Sequence, residues 1–165
     1  MALELNGTTG VSLVQDGVVT AADLASDAIT SAALPAGSVL QVVQDTYLSQ
    51  VTTTAGNTTY VDTNLSASIT PSSTSNKVLA LVTHSNSRKV GDNVLNVRLL
   101  RDSTAIISSI GNLDTGDTQL LTDVFSFSYL DSPNTTSQVT YKTQFASANG
   151  VIYGPNVIIL MEIAG

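Results

Sequence analysis

The sequence predicts an all-β fold, an antiparallel sandwich head preceded by a short N-terminal stalk with small helical turns. Apolar and polar residues alternate through several segments after Gly37, which is the period of half-buried strands. Clusters of turn-forming residues separate these segments. Before Pro35 the chain is repetitive and contains no lysine or arginine. We therefore divide it into an N-terminal anchoring segment (1–15), a repetitive stalk (16–36) and a β head (37–165).

The composition indicates a protein that packs against copies of itself. Hydrophobic residues make up 42% of the 165 residues, enough for a substantial core. Charged residues make up only 12%, about half the usual share. Serine (20) and threonine (22) supply most of the polar surface instead. A monomer relies on charge to stay soluble and separate, so the low charge favours an oligomer.

The distribution of charge excludes several classes of partner. The net charge is −7, and six of the acidic residues precede Lys77, before any basic residue. Nucleic acids and anionic membranes both require a basic surface, so neither is an expected partner. The run from Val157 to Met161 is too short to cross a bilayer. Met1 to Glu4 lacks the basic start of a signal peptide, so we expect synthesis in a cytoplasm.

The stalk contains a short repeat. The segment from Val19 to Leu24 is matched by the segment from Ile29 to Leu34, beginning ten residues later. Thr20 and Asp23 have the spacing of a capping box, so each unit could form about one helical turn, which is marginal alone. We predict that several chains stack these turns around an axis, and a flexible linker is the alternative. The predicted stalk core consists of Val19, Leu24, Ile29 and Leu34.

Alternation identifies the strands of the head. One face of the segment from Val61 to Ile69 is apolar, and the same pattern recurs from Phe125 to Tyr129 and from Val139 to Phe145. Such strands place one face on a core and the other in water. Turn signals divide the head into roughly eight strands, the number expected of a jelly roll.

Two further strands are apolar on both faces. They run from Val78 to Val82 and from Val157 to Ile163. In a lone sandwich one of their faces would be wet, so we predict that a neighbouring subunit covers it. The residues assigned to this trimer interface are Val157, Ile159, Leu160, Met161 and Ile163.

The loops opposite the point where the chain enters the head are the predicted binding loops, because loops carry recognition on rigid β scaffolds. We select the segments from Arg88 to Asn93 and from Leu113 to Thr118, which are polar and of mixed charge. The possible receptor contacts are Arg88, Lys89, Asp92, Asp114 and Asp117.

Three segments resemble a known family. The string Leu34-Pro35-Ala36-Gly37-Ser38-Val39-Leu40-Gln41 resembles the entry to the C-terminal domain of tailed-phage fibre and virion structural proteins, especially of marine and cyanobacterial phages. The segment from Asp16 to Ala25 resembles their stalk repeats, and the segment from Ile69 to Leu79 resembles a strand-turn-strand of their heads. The resemblance implies a homotrimeric jelly roll, similar in plan to complement and tumour-necrosis-factor heads, that resides in the virion. It brings no catalytic residues and no cofactor.

Candidate catalytic and metal-binding residues are few. His84 is the only histidine, and no Gly-x-Ser-x-Gly motif accompanies it, so an ordinary strand-end histidine is the expectation. The segment from Asp114 to Asp117 could offer oxygen ligands to calcium, but a plain turn fits better. We predict no catalytic residue, no cofactor and no metal site.

The basic residues Arg88, Lys89, Arg98 and Arg101 form one sequence cluster. Arg98 is expected to point outward, because Val97 and Leu99 flank it. Either this cluster is a solvated face paired with Asp92 and Asp102, or it contacts a neighbouring subunit or an anionic glycan. Tyrosines near turns could stack on sugars, and they are Tyr47, Tyr60 and Tyr153.

The leading hypothesis is a non-enzymatic phage virion protein, a homotrimeric tail fibre or spike. Its N-terminal segment would bind another virion protein, and its head would attach to a glycan or protein on the host surface. The alternatives are a head fibre or decoration protein of the capsid and a stand-alone carbohydrate-binding module. A surface depolymerase is a further alternative, but the sequence offers no evident catalytic residues for it.

Overall fold

The computed structural model describes residues 5–6, 10–11, 34–113 and 120–165. The chain forms two compact units, Met1–Pro35 and Ala36–Gly165. In the first unit, β1 (Leu5–Asn6) pairs with β2 (Gly10–Val11) in antiparallel fashion. The predicted helical turns and three of the predicted stalk-core residues, Val19, Leu24 and Ile29, lie outside the described residues. The fourth, Leu34, is exposed.

All regular secondary structure in the described part of the second unit is β-strand. The strands are β3 (Val39–Tyr47), β4 (Val51–Thr53), β5 (Gly56–Ile69), β6 (Lys77–Lys89), β7 (Leu95–Arg101), β8 (Thr104–Leu113), β9 (Leu121–Asp131), β10 (Val139–Ser147) and β11 (Gly150–Ile163). The described residues contain no helix, and so none that is long and apolar enough to cross a membrane.

These strands form a β-sandwich of two antiparallel sheets, which confirms the predicted all-β sandwich. In sheet I the strand order is β3-β11-β6-β9, and β4 also pairs with β11. In sheet II the order is β5-β10-β7-β8. After β5 the chain crosses to sheet I at β6, and it returns to sheet II for β7 and β8.

The core lies between the sheets and has two parts. The alternation of each strand turns its apolar positions inward, as Leu65, Ala67 and Ile69 in β5 illustrate. One cluster, the entry-side core, contains Leu65, Ala67, Ile69, Val78, Ala80, Val82, Leu99, Val139, Tyr141, Ile158 and Leu160. The other, the loop-side core, contains Leu95, Val97, Leu113, Phe125, Phe145 and Ile152.

The chain enters the sandwich where it also ends, here called the entry end. The backbone N–H of Gly37 donates to the carbonyl of Ala164 at 2.8 Å. Ile163, at the end of β11, lies opposite both Val39 of β3 and Lys77 of β6. The first strand of the head therefore runs away from the entry point.

The opposite end, here called the loop end, carries four connections. In sheet I, Gly150 lies opposite Thr53 and Lys89, and Lys89 lies opposite Leu121. The connections β4–β5, β6–β7, β8–β9 and β10–β11 therefore meet at this end. The predicted binding loop from Arg88 to Asn93 belongs to this set, whereas residues 114–118 of the other predicted loop lie outside the described residues.

Candidate functional site

The outer face of sheet I carries an apolar band. Four side chains form one row across its strands, since Met161 lies opposite Val42 and Leu79, and Leu79 lies opposite Leu130. Val42 is 57% exposed and Leu130 is 48% exposed. In the neighbouring row, Ile159 of β11 lies opposite Leu81 of β6, and Gln44 of β3 and Ser128 of β9 complete the row with polar side chains.

The structure separates the residues assigned to the trimer interface. Val157, Ile159, Met161 and Ile163 alternate with buried positions and lie half-exposed on the outer face of sheet I. Leu160 points the other way, is fully buried and belongs to the entry-side core. The assignment of Leu160 to an outer interface is therefore wrong, because successive side chains of a strand point to opposite faces.

The outer face of sheet II is polar and charged. The amide of Gln144 donates to one oxygen of Asp62 at 2.6 Å, and the ammonium of Lys142 lies 3.0 Å from the other. Partial burial works to raise the pKa of Asp62, but the hydrogen bonds from Gln144 and Lys142 and the nearby positive charges outweigh it. The pKa of this carboxyl therefore lies below its ordinary value.

Arg98 extends across this face, outward as its neighbours predict. Its Nε and Nη2 atoms both donate to the side-chain oxygen of Gln144, at 2.9 and 2.5 Å. Its guanidinium carbon lies 3.9 Å from the centre of the Tyr60 ring, within the range of a cation–π contact. The Tyr60 ring is thus covered by Arg98, and its hydroxyl donates to the carbonyl of Ser108 at 3.4 Å.

A depression opens beside this cluster where β5 bulges. Between the residues paired with Lys142 and Gln144, β5 has three residues where β10 has one. Asn64, at the bulge, has a φ of 63°, and its amide donates to the Tyr47 hydroxyl at 3.3 Å. The depression is lined by Asp62, Asn64, Leu65, Ser66, Lys142 and Thr143.

The proposed receptor residues divide into four groups, of which the buried Lys89 is described last. Asp92 is exposed at the loop end, whereas Asp114 and Asp117 lie outside the described residues. Arg88 is half-buried and donates to the Tyr153 hydroxyl at 3.4 Å.

Lys89 is fully buried, and its ammonium donates to the carbonyl of Gly91 at 2.9 Å. Its assignment as a presented receptor contact is therefore wrong. The residue stabilises the turn that follows β6. Ser147 supports the same turn by donating to the amide oxygen of Asn93 at 2.8 Å, a contact that no local sequence signal indicates.

His84 lies within the core, between the two apolar clusters. Its Nδ1 is 3.1 Å from the amide oxygen of Asn156, and its Nε2 is 3.1 Å from the hydroxyl of Thr143. That hydroxyl is 2.6 Å from the hydroxyl of Thr63. We call these four residues the polar layer. Burial lowers the pKa of His84 to about 4, so the ring is neutral, and it has no exposed surface with which to reach a substrate.

The pairing of Arg101 differs from the sequence-based alternative. Arg101 lies 2.6 Å from the carboxylate of Asp131, and the Tyr141 hydroxyl donates to the same oxygen at 2.6 Å. Asp102 instead accepts the backbone N–H of Thr140 at 2.9 Å. Burial, together with the adjacent Asp131, raises the pKa of Tyr141. Arg101 and Arg98 therefore belong to different sites.

Glu162 forms a buried cluster that sequence reasoning missed. Its oxygens accept from the backbone and hydroxyl of Ser72 at 2.6 and 2.8 Å, from Asn76 at 2.6 Å and from Gln41 at 2.6 Å. Burial works to raise the pKa of Glu162, but these donors outweigh it and leave the pKa below its ordinary value. Among the described residues, no group of three potential metal ligands lies together.

No family model matches the chain, and no curated protein matches it. Among solved structures, it is similar to VP2 in a subviral particle of infectious bursal disease virus, with 15% identity, a TM-score of 0.41 and coverage of 74% of this chain and 37% of that one. It is also similar to the Gx strain structure of that virus, with 15% identity, a TM-score of 0.40 and coverage of 75% and 36%. The chain spans little more than a third of either protein, and neither similarity bears on function.

Proposed function

We propose that this chain is a non-enzymatic structural protein of a phage virion, a homotrimeric fibre or spike. Its N-terminal segment anchors it to the particle, and its head attaches to the host surface. The observation that supports this proposal is the contrast between an apolar band on the outer face of sheet I and a charged outer face on sheet II.

The apolar band requires a cover. Monomeric proteins rarely expose a contiguous apolar patch of this kind unless it binds something. The row formed by Val42, Leu79, Leu130 and Met161 crosses the four main strands of the sheet, with no charged side chain in it. Burying one such side chain contributes about 1.5–3 kcal/mol. Packing on copies of the same chain, in closed symmetry, covers this face.

The strand order supports the jelly-roll part of this proposal. Two sheets of four main strands, in the orders given above, form the arrangement of a jelly roll. The resemblance of the stalk and head segments to phage fibre proteins implies three copies around an axis. With sheet I inside, sheet II and the loop end remain accessible.

Truncation tests the anchoring role. A variant that begins at Gly37 should still form trimers in analytical ultracentrifugation but should fail to join phage particles. The full chain, expressed in the same host, is the control and should co-purify with particles. Normal incorporation of the truncated variant would contradict the proposal.

The same particles separate the alternatives. Density for the chain at the tail in a cryo-electron map supports the fibre, and density on the capsid indicates a decoration protein. Absence of the chain from purified particles, together with glycan binding in solution, would indicate a stand-alone carbohydrate-binding module.

A further inference from the structure

We propose that the outer face of sheet II binds an acidic saccharide. The guanidinium of Arg98 recognises its acidic group, and the depression beside Asp62 and Lys142 holds hydroxyls of the neighbouring sugar. This inference rests on the proposed function, because a host surface supplies the saccharide.

Arg98 is held in place before any ligand arrives. Two of its nitrogens are fixed by one oxygen of Gln144, and Tyr60 supports its plane at 3.9 Å. Gln144 is in turn fixed by Asp62. A group held in this way loses little conformational entropy on binding, which raises affinity.

The charge of Arg98 is not neutralised by these contacts. Both hydrogen bonds go to a neutral amide, and among the described residues Arg98 forms no ion pair. Lys142 and Asp62 pair with each other and cancel. The cluster therefore retains one positive charge on a protein with a net charge of −7. A guanidinium suits the carboxylate of a uronic acid in geometry as well as charge.

The depression suits sugar hydroxyls. A hydroxyl both donates and accepts hydrogen bonds. The lining offers the carboxylate of Asp62 as acceptor, the ammonium of Lys142 as donor, and the amide of Asn64 and the hydroxyl of Ser66, each of which can do both. Asn64 adopts the left-handed region at φ 63°, which asparagine tolerates better than most residues, and this conformation belongs to the bulge of β5.

The remaining surface argues against a polyanion such as nucleic acid. Binding to phosphate chains needs a row of basic residues, and this face offers one uncompensated charge. A single acidic group flanked by hydroxyls fits better. In a trimer that buries sheet I, three such faces lie outward, so weak sites combine through avidity.

Binding by the full chain tests this proposal, with uronic-acid oligosaccharides from polygalacturonate and neutral malto-oligosaccharides of equal length as probes. Isothermal titration calorimetry should give at least about tenfold tighter binding of the acidic probe, and Arg98→Gln should remove about that factor. Lys77→Gln removes the same charge from an exposed residue at the start of β6. Sedimentation checks that this variant keeps its oligomeric state, and its affinity should be unchanged. Equal affinity for both probes, or unchanged affinity in Arg98→Gln, would overturn the proposal.

A second variant protects the test against misfolding. Ser66 is exposed, and Ser66→Tyr should fill the depression while retaining Arg98. It should weaken acidic oligosaccharide binding at an unchanged melting temperature. Unchanged binding in this variant would contradict the role of the depression. Sulfate serves as the competitor. If sulfate displaces the oligosaccharide fully and longer oligosaccharides bind no more tightly, the site binds simple anions and the assignment of a saccharide ligand is wrong.

Failure of this inference is distinguishable from failure of the proposed function. If the purified chain binds acidic oligosaccharides but is absent from particles, the virion role fails and the site stands. If particles carry the chain and adsorb normally with Arg98→Gln, the virion role stands and the saccharide site fails.

Discussion

Acid should weaken this fold through its only histidine. His84 is fully buried, and its pKa is lowered from 6.5 to about 4 by burial. In the neutral ring one nitrogen carries a proton and the other accepts, and the ring contacts Asn156 through Nδ1 and Thr143 through Nε2. In the unfolded chain the His84 ring is protonated below about pH 6.5, whereas in the folded chain it is protonated only below about pH 4. The stabilising contribution of His84 is therefore complete above about pH 6.5 and is lost as the pH falls toward about 4.

The pKa difference sets the size of the effect. Between about pH 7.5 and about pH 4.5 the folded state should lose about 2.5 kcal/mol of stability relative to the unfolded state. Carboxylates with lowered pKa values, including Asp62 and Glu162, destabilise the fold over an overlapping range. A variant without the histidine is needed to separate the two effects.

The matched variant is His84→Gln, which keeps a polar side chain of similar length but does not titrate. Urea unfolding at one fixed protein concentration, across this pH range, should give a loss of stability about 2.5 kcal/mol larger in the unmodified protein. Because the chain has one histidine, its ring proton resonance can also be followed directly by NMR. A midpoint near the ordinary value, or identical pH dependence in both proteins, would refute the buried, neutral polar layer.

Three further predictions concern packing and assembly. Ile159→Asp should place a charge on the apolar band and convert the proposed trimer to monomers or aggregates in sedimentation. Leu160→Ala should lower the free energy of unfolding by about 2–5 kcal/mol and keep the oligomeric state. The reverse pattern would contradict the assignment of the two faces. Glu162→Gln should lower stability by about 1–3 kcal/mol and flatten the acid limb of the pH profile, and an unchanged limb would argue against the buried carboxylate. Gly154→Ala should lower the melting temperature, because an added Cβ would clash with the backbone of Leu48; an unchanged melting temperature would contradict this close approach.

Local pattern predicted the strands well where the two faces differ in polarity. The segments around Val61, Phe125 and Val139 alternate, and each forms a strand with that period. The run from Val157 to Ile163 is almost wholly apolar, so its hydrophobicity pattern does not distinguish inward-facing from outward-facing positions. Leu160 was misplaced for that reason.

Contacts between distant segments were beyond prediction from sequence alone. Arg101 pairs with Asp131 across two sheets, while the nearer Asp102 caps a backbone group instead. The donors to Glu162 come from segments that only the finished topology brings together. Lys89 is buried because its long side chain reaches the carbonyl of Gly91, a local contact that composition does not reveal.

The pairing of β3 with β11 has a mechanical consequence. The two strands are antiparallel, and their register runs from Val39 opposite Ile163 to Tyr47 opposite Asn156. A tension applied at the entry point and resisted at the loop end acts along β3, at right angles to the hydrogen bonds between the strands. Such a shear load is shared by the whole ladder and cannot open it one bond at a time. A head built in this way withstands a force along β3 that would separate the same two strands if it acted across them, because a transverse force breaks the hydrogen bonds one after another.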